Sequence, residues 1–310
     1  MMLLLAAAVL PRLFWDAAPD TAQTLRDSGI VRIAVPAERA AAWKGTAGIT
    51  VETADLVGAV KLEAPTVDYR ANEATASRSP WITSNGWHFQ RAAAGRFVYD
   101  VKGLQGATAA AEAFSYGVQA WIRSDAAGLK PLARMLDFLT TIGGEPLPAV
   151  ADIGFVDDGS DTAAEVMNLM SRENLLFKVV RTPDPRLKLN VRIGSKEFPA
   201  ADAEDPGRMA HLIRATLGDE KRSLRIYGSL VVVGRLDGSG GRLRVHLLNY
   251  SGANRSVDGL RVRVLGRYPK HALMAEESPG AELLDYTLEP DATEFTLKEL
   301  KTYAVIDLGK

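Results

Sequence analysis

The chain has 310 residues, 47% hydrophobic and 24% charged, with 37 basic and 38 acidic side chains and a formal net charge of -1. That length supports two or three domains with real cores, and the composition is globular rather than disordered. A near-neutral balance without a lysine- or arginine-rich run argues against a nucleic-acid partner, and the absence of cysteine excludes thiol catalysis, disulfides and Cys-ligated zinc.

Met1–Leu10 (MMLLLAAAVL) is an apolar run that resembles a secretory h-region, too short to span a bilayer. A buried first strand running into LFWD is the other reading. We expect a signal peptide over residues 1–10, and hence an exported protein; cysteine absence is compatible with export. No later segment is a continuous apolar stretch of ~18 residues, so no integral membrane segment is expected.

Beyond it, short strands and helices alternate. RLFWD reads as a strand, Thr21–Asp27 as a helix stopped by Gly29, and IVRIAVP as a second strand followed by the helical ERAAAWKG. Ile49–Thr53 and Ala59–Glu63 (AVKLE) are further strand candidates. Residues 70–95 read as an irregular excursion, and such excursions are often functional. Arg96–Val101 (RFVYDV) returns as a strand, Gln105–Tyr116 as an Ala-rich helix, and Val118–Ile122 (VQAWI) as a strand. In Lys130–Ile142, Leu132, Met135, Leu136 and Leu139 share one helix face. About six βα-like units fit this stretch, which implies a mostly parallel sheet.

GGEPLP marks a boundary. After it, ADIGFVD reads as a strand, Thr162–Arg172 as a helix with Asp161 as N-cap, LLFKVV as a strand, Arg186–Ile193 as an alternating strand and Pro206–Thr216 as a helix. From Ser223 onward strand follows strand, separated by turns such as DGSGG and SPG, the pattern of an antiparallel β-sandwich. The expected organisation is therefore multidomain α/β plus all-β. A βα-barrel-like domain occupies residues 11–145, a small open α/β unit 146–222 and a β-sandwich 223–310.

Three stretches carry a family resemblance. VADIGFVDDGSDTAAEVMNLMSRENLLFKVV is similar to the start of a glutamine-amidotransferase-like unit. GRLRVHLLNYSGANRSVDGLRVRVLGRY and FTLKELKTYAVIDL resemble terminal β domains. In this order the chain resembles exported bacterial glycoside hydrolases of the large β-galactosidase type. The resemblance implies a catalytic (β/α) barrel, an amidotransferase-like middle unit and a C-terminal β domain. The first segment is short against the ~250 residues of an eight-unit barrel, so an abbreviated barrel is expected. The middle unit lacks a Cys nucleophile and reads as structural.

The residues between Glu73 and Asp100 suit a carbohydrate ligand. Arg78, Trp81, Asn85, Trp87, His88, Arg91 and Tyr99 crowd there, and aromatic faces with amides and carboxylates are what a neutral polyhydroxylated ring needs. Glycoside hydrolysis needs two carboxyl groups facing one bond, placed in a βα architecture at the C-terminal strand tips. Asp16, Glu38, Glu63, Asp100 and Asp125 fit that position, with Glu73 in the excursion. Glu63 and Asp100 are the first choices as catalytic groups and Glu73 the third. Each could equally be a cap, a loop charge or an ion-pair partner. Trp81, Trp87 and Tyr99 are stacking candidates, with core packing as the alternative. Asn85 could bind a hydroxyl, although Asn-Gly also suits a hairpin turn. Asp16 and Lys102 complete the substrate-binding set, and Arg91 could bind an acidic group or tune a carboxylate. His88 alternates with Trp87 and Phe89 as along a strand.

Neither a metal nor a cofactor is expected. The four histidines (His88, His211, His246, His271) lack ligand spacing. DDGSD (Asp157–Asp161) lacks the spacing of a calcium loop. No GxGxxG follows a strand, and no GxSxG elbow occurs.

Overall fold

A computed structural model describes residues 9–68, 80–278 and 280–310. Met1–Ala8, most of the expected leader, lie outside the described residues, as do Glu73 and Arg78.

The first unit is parallel. Its strands and helices run β1 (Arg12–Leu13), α1 (Ala22–Asp27), β2 (Arg32–Val35), α2 (Ala37–Trp43), β3 (Thr50–Thr53), β4 (Val60–Leu62), β5 (Thr66–Asp68), β6 (Trp81–Thr83), α3 (Gly86–Arg91), β7 (Arg96–Val101), α4 (Gln105–Ser115), β8 (Gln119–Ser124) and α5 (Ala126–Thr141). Strands β1, β8, β7 and β4 are hydrogen-bonded neighbours in that order, and β2 pairs with β3. A parallel bridge between Phe14 and Ala34 joins the two sets. The lateral order is thus β3-β2-β1-β8-β7-β4, all parallel. Among the described residues no ladder joins β3 to β4, so the sheet is not closed.

Strand periodicity divides the side chains between two faces. Leu13, Ile33, Val35, Leu62, Phe97, Tyr99, Val101 and Ile122 join helix residues such as Leu25, Leu129, Leu132 and Met135 in one core. Phe14, Ala34, Val98 and Trp121 form a smaller cluster with Ala54 on the other face. Helix α4 explains its own composition. Ala107 and Ala109–Ala111 are buried, because the helix packs on β7 and β8 on one side and on a later antiparallel strand on the other. A helix covered all round must be apolar all round, and alanine lets both layers approach.

The expected irregular stretch contains helix α3, which corrects the strand reading for His88. Asn85 and Gly86 do not make a hairpin; Asn85 is the N-cap residue of α3. Gly86 is required for another reason: a Cβ there would collide with the Tyr116 hydroxyl.

Next come β9 (Ile153–Val156), α6 (Asp161–Arg172), β10 (Phe177–Val180), β11 (Leu189–Val191) and α7 (Pro206–Leu217). They form a three-stranded parallel sheet of order β10-β9-β11 with its own core of Phe155, Met167, Met170, Phe198, Met209 and Ile213. The cap of α6 is Ser160 rather than Asp161: its Oγ accepts from the Ala163 N–H at 3.1 Å.

Eight antiparallel strands follow. They are β12 (Leu224–Tyr227), β13 (Val232–Ser239), β14 (Arg242–Asn249), β15 (Val257–Leu265), β16 (Lys270–Ala275), β17 (Leu283–Leu288), β18 (Ala292–Leu300) and β19 (Tyr303–Gly309). They make two four-stranded sheets, β12-β15-β18-β17 and β13-β14-β19-β16. Val262, Val264, Phe295 and Leu297 of the first share a core with Val245, Leu247, Ala304 and Ile306 of the second. The second sheet is covered on its other face too. Val233, Leu248, Tyr303 and Val305 belong to the core of the parallel unit, where Phe114 of α4 and Phe138 of α5 meet the Tyr303 ring edge-on. Within the second sheet, His246 has Nδ1 2.6 Å from the Tyr303 hydroxyl and Nε2 3.1 Å from Asp237.

One carboxyl in this seam makes stability depend on pH. Glu276 follows β16 and is 4% exposed, with Oε2 buried and unpartnered among the described residues. Burial and the adjacent Glu277 charge raise its pKa to about 7, against Thr302, Arg134 and Lys301. The unfolded group has the ordinary value near 4.5. Folding therefore favours the protonated form. Its contribution is complete below pH ~4.5, declines as pH rises toward 7, and is lost above. Urea unfolding at pH 5 and pH 8 should show wild-type protein losing about 2 kcal/mol more across that interval than Glu276→Gln. Equal losses would contradict the assignment.

Candidate functional site

Register brings one row of side chains together on the face of the parallel sheet opposite its helices. Ala34 pairs with Glu52 and bridges to Phe14. The Phe14 N–H donates to the Ile122 carbonyl, which places Phe14 beside Arg123, and Arg123 pairs with Asp100. Lys61 pairs with Val98 and Leu62 with Tyr99, where the ladder ends, and Glu63 follows directly after β4. The row reads Glu52, Ala34, Phe14, Arg123, Asp100, with Glu63 just past the end of the neighbouring strand, and it crosses the C-terminal half of the sheet.

Its electrostatics are specific. Lys61 Nζ lies 2.9 Å from Asp100 Oδ2, and Arg123 Nη1 lies 3.9 Å from Oδ1. The Arg123 guanidinium rests over the Phe14 ring, 4.8 Å from its centroid, and its Nε is buried without a hydrogen-bond partner. Arg12 reaches past the small Ala34 to pair with Glu52. Glu63 is exposed, and its main-chain carbonyl accepts from Asn85 Nδ2 at 3.0 Å, which fixes the tip of β4. Two carboxyl groups thus stand at the ends of neighbouring strands, one ion-paired to Lys61 and one open to water.

The other candidates separate. Asp16 and Lys102 are exposed beyond the ends of their strands, and Glu38 is exposed on α2. Asp125 caps α5: its Oδ1 accepts from the Gly128 and Gly103 N–H groups, both at 2.9 Å. Tyr99 is fully buried, so no ring face reaches a ligand, and Asn85 is 1% exposed. Both are internal donors, which corrects their reading as sugar contacts.

The tryptophan segment packs against the middle unit rather than lining the row. Trp81 lies under the Arg172 guanidinium of α6 at 3.7 Å. Trp87 packs against the middle core and stacks on His88 at 3.6 Å. Burial, with Arg91 nearby, lowers the His88 pKa to about 4, so the ring is neutral at pH 7. Arg91 donates through Nε and Nη2 to Asp157, both at 2.8 Å, and through Nη2 to the Ser160 carbonyl at 3.0 Å. It is a seam residue, not a ligand for an acidic sugar. A bidentate, partly buried pair of this kind holds α3 to the β9–α6 loop. Arg91→Ala should cost about 2 kcal/mol in urea unfolding, and Asp157→Ala little more when added to it. Additive losses would mean the two groups act separately.

Glu112 escaped the sequence reading. It is fully buried on α4 and takes four hydrogen bonds. Oε1 accepts from the Asn85 N–H at 2.7 Å and the Tyr250 hydroxyl at 2.6 Å; Oε2 accepts from Asn85 Nδ2 at 3.0 Å and the Tyr99 hydroxyl at 2.6 Å. Burial raises its pKa, opposed by those donors. Burial first, then the Glu112 charge, raises both tyrosines well above their usual range. The available signal was a lone charge within QGATAAAEAFS. Among the described residues no group of three His, Cys, Asp or Glu could hold a metal ion, and no helix is long and apolar enough to cross a membrane.

No protein-family model matches the chain, and no curated protein matches it in sequence. In structure it is similar to the α-L-fucosidase isoenzyme 2 from Paenibacillus thiaminolyticus. The TM-score is 0.52 at 9% identity, over 72% of this chain and 62% of that one. The chain thus spans less than two thirds of that protein's length. A maltogenic α-amylase from Thermotoga neapolitana (10% identity, 96% of this chain, 99% of that one) and a family 30 subfamily 8 xylanase from Clostridium acetobutylicum (8%, 99%, 98%) reach TM-scores of 0.23 and 0.20, too low to carry an argument. The fold is glycoside-hydrolase-like.

Proposed function

We propose that this is an exported carbohydrate-active protein, a glycoside hydrolase or a reduced relative, with Glu63 and Asp100 as its carboxyl pair. On this reading the six parallel strands are an abbreviated barrel, the three-stranded unit an amidotransferase-like insert and the two antiparallel sheets a β-sandwich. The observation that supports the reading is that Asp100 lies near the C-terminal end of β7 and Glu63 directly after its parallel neighbour β4. The fold-level likeness to the fucosidase supports it. Asp100, paired with Lys61, and Glu63 divide the roles of nucleophile or water activator and of acid between them.

A second reading is a non-catalytic carbohydrate-binding protein using the same row. It is favoured by the Lys61 ion pair, which already occupies Asp100. A panel of aryl-glycosides and polysaccharides separates the two. Hydrolysis supports the enzyme; saccharide binding without turnover supports the binding protein. Neither, in protein shown to be folded, would end both readings.

A further inference from the structure

We propose that the saccharide taken at the Glu63–Asp100 row carries a carboxylate, as a uronic-acid residue does, and that Arg123 recognises it. This rests on the saccharide reading of the row.

The first argument is charge. Lys61 and Arg123 both face one carboxylate, Asp100. Arg12 and Glu52 cancel each other on the neighbouring strands. Asp125 is committed to two backbone donors, and Asp16 stands out in water beyond β1, where solvent screens it. The cations around Asp100 thus outnumber its own carboxylate.

The second argument is the state of the Arg123 donors. At 3.9 Å its Nη1 is beyond hydrogen-bond reach of Asp100, and its Nε has no partner. The side chain is nonetheless held in place, since its guanidinium lies on the Phe14 ring. Its side chain is 43% exposed. Its terminal Nη groups, held in place beside Asp100 while the buried Nε stays out of a ligand's reach, suit a carboxylate in sign and shape. A neutral sugar would leave those donors unfilled, which is the circumstance in which a site discriminates strongly.

The test compares 4-nitrophenyl glucuronide and galacturonide with the corresponding glucoside and galactoside. Wild-type kcat/KM should favour a uronide by at least about tenfold over its neutral counterpart. Arg123→Gln should lower that ratio about tenfold, mainly through KM, and Arg123→Lys should restore part of it. If no glycoside turns over, ligand-observed NMR with free glucuronate, galacturonate, glucose and galactose gives the same comparison. Circular dichroism confirms that each variant is folded. Neutral sugars cleaved or bound as well as uronates would overturn this inference and leave the saccharide reading standing. A uronate preference unchanged in Arg123→Gln would overturn the role of Arg123. No saccharide engaged at all would remove both.

Discussion

Glu112→Gln should destabilise the protein by about 3 kcal/mol, enough to lower Tm by roughly 5–10 °C. The carboxylate accepts four hydrogen bonds, two on each oxygen, and every donor is buried. An amide replaces one accepting oxygen with a donating NH₂ group. A tyrosine hydroxyl can rotate to accept; the Asn85 main-chain N–H cannot. Turning the Asn85 amide round would forfeit its bond to the Glu63 carbonyl. At least one buried donor is therefore stranded, whichever way the new side chain is placed. Because Tyr250 belongs to the antiparallel region and Asn85 to the parallel unit, the loss should appear as weakened attachment between them. Differential scanning calorimetry on the variant measures it. A Tm within 1 °C of wild type would refute the assignment of all four bonds to one acceptor.

Asp100→Asn and Glu63→Gln should each reduce kcat on any hydrolysed glycoside by about 10²–10⁴-fold, with a smaller change in KM. Both side chains are at least partly open to solvent, so neither change should disturb the core. NMR of the first product reads the anomeric configuration directly: retention points to carboxyl groups ~5–5.5 Å apart and inversion to ~6.5–9.5 Å. Full activity in both variants would move the chemistry elsewhere on the molecule.

Much of the architecture was legible because it is local. Alternation in RFVYDV, the alanine run of α4 and the helix face of α5 each state their own periodicity. The start of α5 was not legible: it begins at Ala126 rather than Lys130, and Asp125, expected as a strand-tip carboxylate, is its cap. What failed was inference from crowding. Trp81, Trp87 and Arg91 are close in sequence, and Arg91 meets Trp87, but the partners Arg172 and Asp157 come from the middle unit, which nothing near them announces. Tyr99 alternates correctly, yet alternation cannot tell which face of a parallel strand is covered, and both faces here are partly covered. Asn85-Gly86 looked like a hairpin because turn chemistry and close approach ask for the same glycine. Glu112 was invisible for the opposite reason: its partners Asn85 and Tyr250 lie 27 and 138 residues away.

The position of β19 has a consequence for synthesis of the chain on the ribosome. It lies between β14 and β16, and Tyr303 and Val305 complete the core begun by Leu13 and Ile33. A nascent polypeptide must therefore wait for β19 to emerge before the outward side of α4 and α5 can leave water. Until then those alanine and phenylalanine surfaces are open to wrong partners, so holdase binding during translation should be strong until β19 has docked.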